Sequence, residues 1–147
     1  MFKRILVATD GSSLSKKAVA SAISLAAQNG AELIAVTVVP RYKSSYFEGA
    51  MTISMDDIAR VEAQWAGAAQ EKLDAVGARA KAAGVKIRTA ALSSDLVAET
   101  LVKTATKYKC DLIVMASHGR KGLKRLLLGS ETQHVLTNST LPVLVLR

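Results

Sequence analysis

The sequence predicts an α/β fold in which an open parallel sheet has helices on both faces. Short apolar runs, such as those at 4–9 and 112–116, have the length and composition of strands buried on both faces. Between them, longer segments carry apolar residues every three or four positions, as amphipathic helices do. Half of the residues are hydrophobic and 4% are aromatic, so we expect a core of Ala, Val, Leu and Ile. Strands that alternate with helices form a parallel sheet with right-handed crossovers.

Length, charge and cysteine usage narrow the class of protein further. The 147 residues are expected to form one domain, 1–147. The net charge is +8, but the cations are scattered except at 120–125 and no aromatic residues lie among them, so nucleic acid is not the expected partner. No apolar run reaches the length of a membrane span. The missing signal segment and the single Cys110, which is expected to be an inert core thiol, favour a cytoplasmic location.

Hydrophobic periodicity and turn residues give the expected order of the elements. Gly30 is expected to end the first helix in a left-handed conformation. Apolar and charged residues alternate over 85–92, which indicates a strand near the edge of the sheet. The Ser-Ser-Asp sequence at 93–95 is expected to cap the next helix, on which Leu96 points inward. The expected strands are 4–9, 33–39, 85–92, 111–116 and 142–147, and the expected helices are 15–29, 56–83, 96–108 and 131–138.

Two features leave alternatives open. Residues 41–55 show no periodicity, and so long a loop is typical either of a lid over a ligand or of a mobile connector. Trp65 lies among the apolar positions of the long helix, which favours a filler of the core or of an interface over a platform for stacking.

The segment 111–134 carries the clearest functional signal. A buried strand leads into a polar turn with a glycine at 117–119, then into the cations at 120–125, and a helix is expected to begin at Gly129-Ser130. Glycine lets backbone amides approach a ligand, a helix start offers unpaired N–H donors, and Lys and Arg add positive charge. We therefore predict a phosphate site, although its spacing matches neither the P-loop nor the dinucleotide fingerprint.

Ser130 also has a purely structural interpretation. With Gln133 it forms the Ser-x-x-Gln pattern of a capping box, which needs no ligand. For Ser130 alone we expect capping, with a hydroxyl that turns toward a phosphate when one binds. For the whole loop we expect anion binding.

Asp10 follows the first strand, at the edge of the sheet where open α/β folds bind ligands. Its carboxylate serves either a ligand or the local turn, through Ser12 and Ser13. We favour the ligand because the loop after the first strand and the loop after Ala116 are expected to share one crevice.

These segments resemble the universal stress protein family over essentially the whole chain. The matching residues are 5–12, 111–115, 117–119, 126–130 and 142–145. The family's nucleotide motif is Gly-x2-Gly-x9-Gly-Ser/Thr; Gly119, Gly129 and Ser130 fit it, whereas Ala116 replaces the first glycine. The resemblance implies a Rossmann-like, five-stranded parallel sheet in the order 3-2-1-4-5, which sets the first and fourth strands side by side.

The resemblance also implies a ligand and the residues that hold it. It implies a protein that binds an adenine nucleotide, ATP with or without Mg²⁺, and acts in the stress response as a nucleotide-dependent regulatory or interaction module. Asp10 would face the ribose or adenine, the Val38 backbone would contact adenine, and Gly119, Gly129 and Ser130 would hold phosphates. The implied nucleotide-binding residues are Asp10, Val38, Ala116, Ser117, His118, Gly119, Arg120, Gly129, Ser130, Glu131 and Thr132.

Ala116 and the last strand support a second hypothesis, a dimeric interaction module that binds no nucleotide. Alanine disfavours positive φ and adds a methyl group where the backbone approaches a ligand. Because Ala116 continues an apolar strand, we expect an extended conformation that leaves binding intact. The family commonly dimerises through its last strand, and Pro142–Leu146 is short, apolar and expected at an edge, so we expect a homodimer.

A nucleotide-processing enzyme is the third hypothesis, and the sequence contains few residues that would support catalysis. We find no Ser-His-Asp order, no His/Cys metal spacing and no paired carboxylates. Asp10 is a candidate Mg²⁺ ligand for phosphoryl transfer, but no nucleophile accompanies it. We therefore expect no catalytic residues, no dedicated metal site and at most slow ATP hydrolysis.

Overall fold

The computed structural model describes residues 1–43, 54–119 and 128–147, in which strands and helices alternate. No helix in these ranges is both long and apolar enough to span a bilayer. The strands are β1 (Arg4–Ala8), β2 (Glu32–Val39), β3 (Ile87–Ser93), β4 (Leu112–Ala116) and β5 (Val143–Leu146). The helices are α1 (Ser13–Asn29), α2 (Met55–Ala82), α3 (Val97–Lys107) and α4 (Ser130–Asn138).

The five strands form one parallel sheet in the order β3-β2-β1-β4-β5. This confirms the predicted α/β class and the strand order that the family resemblance implied. β3 lies at one edge, as its alternating pattern predicted, and β5 lies at the other. β1 and β4 are neighbours, with Ile5 opposite Leu112 and Val7 opposite Val114, so their carboxyl ends emerge side by side.

The core consists of two apolar layers, one on each face of the sheet. Ile5 and Val7 pack in the layer that includes buried residues of α1 and α2, whereas Leu6 packs in the layer with residues of α3 and α4. Successive side chains of a strand point to opposite faces. A central strand covered on both sides therefore needs an apolar residue at every position, which explains the unbroken apolar run at its centre.

The C-terminal end of α1 confirms the left-handed glycine expected there, and its N-terminal end is capped by a serine. Ser12 is the N-cap, and its Oγ accepts a hydrogen bond from the Ser15 amide at 3.2 Å. Gly30 follows the helix with φ +63° and donates its N–H to Ala27 O, a left-handed conformation that glycine adopts without strain. The turn between β1 and α1 places Asp10 and Ser12 at the carboxyl end of β1.

The start of α3 differs from the prediction. The helix begins at Val97, and its N-cap is Leu96, whose side chain is 59% exposed. Leu96 therefore does not point inward, and the 93–95 sequence does not cap the helix. Instead Ser94 Oγ accepts the Leu96 N–H at 3.1 Å, which forms a turn ahead of the helix and delays its first residue.

α2 covers the sheet only with its C-terminal half, where its buried residues run from Ala69 to Ala80. Trp65 lies N-terminal to these, is 36% exposed, and stacks on Tyr42 with ring centroids 6.2 Å apart. Trp65 therefore does not fill the core, because the helical period continues beyond the part of the helix that is buried; its role as a filler of an interface stays a prediction. Most of the loop predicted at 41–55 lies outside the described residues.

Candidate functional site

A cavity of about 230 Å³ lies where β1, β2 and β4 end. Its walls are mostly apolar, and its polar groups come from the ends of β1 and β4 and from the starts of α1 and α4. Such a cavity, apolar with a few convergent polar groups, suits a flat organic ring that carries a polar extension. Its lining residues are Ala8, Thr9, Asp10, Ser15, Val36, Val38, Val97, Leu101, Met115, Ala116, His118, Gly119, Glu131 and Thr132.

A larger cavity, about 640 Å³, lies at the opposite end of the sheet. Residues that precede or begin the strands line it, among them Lys3, Glu32 and Asp111. Its two carboxylates already have partners: Glu32 pairs with Arg4 and Arg88, and Asp111 accepts the amides of residues 3 and 4. None of the predicted ligand-binding residues lines this cavity, so its greater volume does not make it the better candidate.

Asp10 brings the first two loops of the site together. Its Oδ1 accepts the Ser12 N–H at 2.9 Å, so one oxygen holds the local turn. A Cβ added to Gly119 would lie 2.6 Å from the other oxygen, Oδ2. The loop after β1 and the loop after β4 therefore lie against each other, which confirms the expected shared crevice. A side chain at position 119 would force the Asp10 carboxylate to move.

Ala116 has the extended conformation that we expected. It is the last residue of β4, pairs with Leu146 of β5 and is 8% exposed. Lys109 is the only non-glycine residue with positive φ in the described ranges. The methyl group that replaces the first glycine of the family motif is therefore accommodated without backbone strain.

The start of α4 is held tightly against the end of β4. Gly129 donates its N–H to Ser117 O at 2.7 Å. The buried Thr132 hydroxyl lies 3.0 Å from Ala116 O and 3.1 Å from Ser117 O. A Cβ on Gly129 would lie 3.2 Å from Ser117 O and 3.3 Å from His118 Cα. The last glycine of the motif thus allows the helix to begin directly on the loop.

The capping box predicted at the start of α4 is absent. Gly129 is the N-cap and Ser130 is the first helical residue, so its hydroxyl does not cap the helix. Gln133 does not reach back to the cap, because its Nε2 donates to Leu128 O at 2.9 Å. Ser130 is exposed, and no described side chain caps α4. The amides of its first turn therefore remain available to an anion.

In each of the other described helices, a side chain accepts one amide of the first turn. Ser12 caps α1, and Ser54 Oγ accepts the Asp57 N–H of α2. α3 has no cap from its own segment, but Glu131 Oε2 accepts the Ala98 N–H at 3.1 Å. Among these four helices, α4 is thus the one whose first amides are left open beside the cavity. An uncapped helix start of this kind is the arrangement that suits an anion.

Of the remaining predicted residues, Val38 and His118 line the cavity, whereas Arg120 lies outside the described residues. Val38 is half-buried on β2 and lines the cavity. His118 Nδ1 lies 3.2 Å from Ser117 Oγ, so this imidazole pairs with a hydroxyl. Arg120 and the rest of the basic run at 120–125 lie outside the described residues. Within the described ranges, no group of three or more His, Cys, Asp or Glu side chains is placed to hold a metal ion.

Two features of the site were missed from the sequence. The apolar wall contributed by α3, including Val97 and Leu101, was assigned only to the core, although its helical stripe signals a buried face. The hydrogen bond between Glu131 and Ala98 joins α4 to α3 over 33 positions, and no local pattern signals it. Cys110 is 6% exposed, and burial and then the Asp111 carboxylate raise its pKa to about 11, which fits the expected inert thiol.

Comparison with known proteins identifies the class to which this fold and site belong. The sequence model of the universal stress protein family matches residues 1–147, and the chain belongs to that family. Universal stress protein MJ0531 of Methanocaldococcus jannaschii is 36% identical over 149 residues, which cover 100% of this chain and 83% of the relative.

Two solved structures share the fold over nearly the whole chain. The structure of protein MJ0577 aligns with a TM-score of 0.85 and 26% identity, covering 99% of this chain and 96% of that one. A universal stress protein solved in complex with cAMP aligns with a TM-score of 0.72 and 29% identity, covering 99% and 97%.

Proposed function

We propose that this universal stress protein binds an adenine nucleotide, ATP in the first instance, and acts in the stress response as a nucleotide-dependent regulatory module. The observation that carries the proposal is the uncapped first turn of α4 at the mouth of an apolar cavity. Open helix amides provide the anion site, and the apolar walls suit an adenine ring. The relative that binds cAMP supports the class of ligand.

The geometry suggests how such a ligand lies. Adenine enters between the apolar walls and meets the Val38 backbone at the end of β2. The ribose passes the Asp10 carboxylate, which already faces the second loop. The phosphates reach the backbone at Gly119 and meet the open amides at the start of α4. Arg120 and the neighbouring cations follow Gly119 directly in sequence, which supports a contribution from them to the charge balance.

A dimeric interaction module remains the second candidate. β5 is an edge strand, and Leu144 is 40% exposed on it. An exposed apolar edge has unpaired backbone groups that a second copy can satisfy. We therefore propose a homodimer through Pro142–Leu146, which is compatible with nucleotide binding and does not depend on it. Slow hydrolysis of ATP has no supporting geometry among the described residues.

The proposed function is tested by substituting the glycine on which α4 begins. Gly129→Val places a branched side chain against Ser117 O and His118 Cα, so we expect the phosphate site to shift. Calorimetric titration with ATP in the presence of Mg²⁺ should show at least about a tenfold loss of affinity, equivalent to 1.4 kcal/mol of binding free energy.

The matched control is Gly67→Val, since an added Cβ at Gly67 meets nothing within 4 Å. It should retain wild-type affinity, and the helix should lose no stability because valine is a better helix former than glycine. Thermal melts of both variants show whether they are folded. Unchanged affinity in a folded Gly129→Val protein would refute the proposed site.

A further inference from the structure

Glu131 caps a helix to which it does not belong. It is the second residue of α4, and its Oε2 accepts the Ala98 N–H of α3 at 3.1 Å. The N-cap of α3 is Leu96, which provides no side-chain hydrogen bond of its own. A carboxylate is the group that a helix N-terminus favours. Glu131 therefore occupies an anion position that the α3 backbone would otherwise offer to the cavity.

The same carboxylate lies beside the proposed phosphate position. Glu131 lines the cavity and stands between Ser130 and Thr132 on the open first turn of α4. Thr132 is bonded to the end of β4 through its buried hydroxyl, so this turn is fixed relative to the loop. Of the described residues that line the cavity, the acidic ones are Asp10 and Glu131, and none is Lys or Arg. A ligand phosphate on α4 thus meets a negative charge that belongs to the site.

We infer that Glu131 is a specificity-determining residue that disfavours uncompensated phosphate charge in this cavity. The inference rests on the proposed function and refines its ligand class. Like charges repel, and the repulsion grows with the number of charges on the ligand. Free ATP is penalised most, AMP less, and adenosine not at all. A divalent cation that neutralises the phosphate chain relieves the penalty, so the site favours Mg²⁺-complexed ATP over free ATP.

Glu131→Gln isolates the charge, because the amide oxygen still accepts the Ala98 N–H and the shape is unchanged. Calorimetric titrations with adenosine, AMP and ATP are run in EDTA at fixed ionic strength, and ATP is repeated with Mg²⁺. We expect the variant to bind free ATP roughly three- to tenfold more tightly than the wild type, as removal of a nearby, partly screened charge gives. The gain should be smaller for AMP and for Mg²⁺-complexed ATP, and absent for adenosine.

Glu99→Gln is the matched control. Glu99 lies in the first turn of α3, is exposed and does not line the cavity. It changes the net charge by the same amount, so it measures the effect of overall charge alone, and ATP affinity should stay within about twofold of wild type. Equal gains in the two variants, or no gain in Glu131→Gln, would overturn the inference.

Inorganic tripolyphosphate separates this inference from the proposed function. Tripolyphosphate carries no adenine, and its binding is followed through the amide resonances of residues 129–132. Tighter binding of tripolyphosphate at these amides in Glu131→Gln supports the charge effect. If neither protein then binds adenosine or AMP, the proposed binding of adenine nucleotides is rejected while the role of Glu131 stands. Tripolyphosphate binding that is equal in wild type and variant, or absent from both, contradicts the role of Glu131.

Discussion

At the scale of single residues, the residues that follow α1, α2 and α3 adopt the same left-handed backbone conformation, but only two of them are glycines. α1 and α2 are each followed by a glycine with positive φ, Gly30 and Gly84, whereas the corresponding residue after α3 is Lys109 with φ +54°. Its N–H donates to Thr106 O and the next amide donates to Ala105 O, which is the hydrogen-bond pattern that such helix ends require. A residue with a Cβ therefore holds a conformation that glycine adopts more easily.

Lys109→Gly is expected to stabilise the protein. Relief of the left-handed conformation should raise the free energy of unfolding by about 1 kcal/mol, measured by urea denaturation. Lys107→Gly removes the same charge from the last residue of α3 and should lower it by about 1 kcal/mol, because glycine is a poor helix former. A loss of stability in Lys109→Gly comparable to that in the control would show that the lysine side chain matters more than the backbone strain.

At the scale of elements, the open N-terminus of α4 is the feature that distinguishes this helix from the other three helices of the described residues. Serine and glutamate side chains each accept one first-turn amide of α1, α2 and α3. Which helix ends are capped can be seen only in the tertiary structure, because the carboxylate that caps α3 comes from α4. Local pattern also misassigned the cap of α4, since Ser-x-x-Gln suits a capping box but the glycine one position earlier takes the cap.

Ser130→Asp tests whether that open end is the ligand site. A carboxylate on the first residue of α4 should interact favourably with the helix dipole and raise the free energy of unfolding by about 0.3 to 1 kcal/mol. It should also occupy the phosphate position and lower the affinity for ATP at least tenfold, as repulsion between like charges requires. Chemical denaturation and calorimetry measure the two effects.

Thr137→Asp, near the other end of the same exposed helix, is the control for charge. It should destabilise α4 slightly and leave ATP affinity unchanged. Ser130→Asp should stabilise the protein, whereas Thr137→Asp should destabilise it. If only Ser130→Asp also loses ATP affinity, the loss comes from occupation of the site and not from a general charge effect. A stable Ser130→Asp protein that binds ATP as the wild type does would exclude the open end as the phosphate site.

At the scale of the whole molecule, the sheet was predictable because its strands are buried on both faces. Continuous apolar runs at β1 and β4 and the alternating run at β3 reflect burial directly, so the fold class and the edge position of β3 followed from pattern. The order 3-2-1-4-5 came from the family resemblance. Trp65 shows the limit of periodicity, which continues along α2 into a half that buries no residue.

The candidate site was predictable to a lesser degree. Gly119 and Gly129 were identified through spacing, and their close contacts with Asp10 and with the Ser117–His118 loop give that spacing a physical basis. The role of Glu131 depends on two helices meeting in space, which no local pattern contains. The cationic part, at 120–125, lies outside the described residues. Dimerisation through β5 stays a prediction supported by its edge position.

The most direct test of the central claim is a map of amide chemical-shift changes in ¹⁵N-labelled protein titrated with ATP and Mg²⁺. We predict the largest changes at Gly119 and at residues 129–132, with smaller ones near Val38, and no change around Lys3 and Asp111 at the opposite end of the sheet. Changes centred on the amino end of the sheet, or none at the start of α4, would contradict the claim.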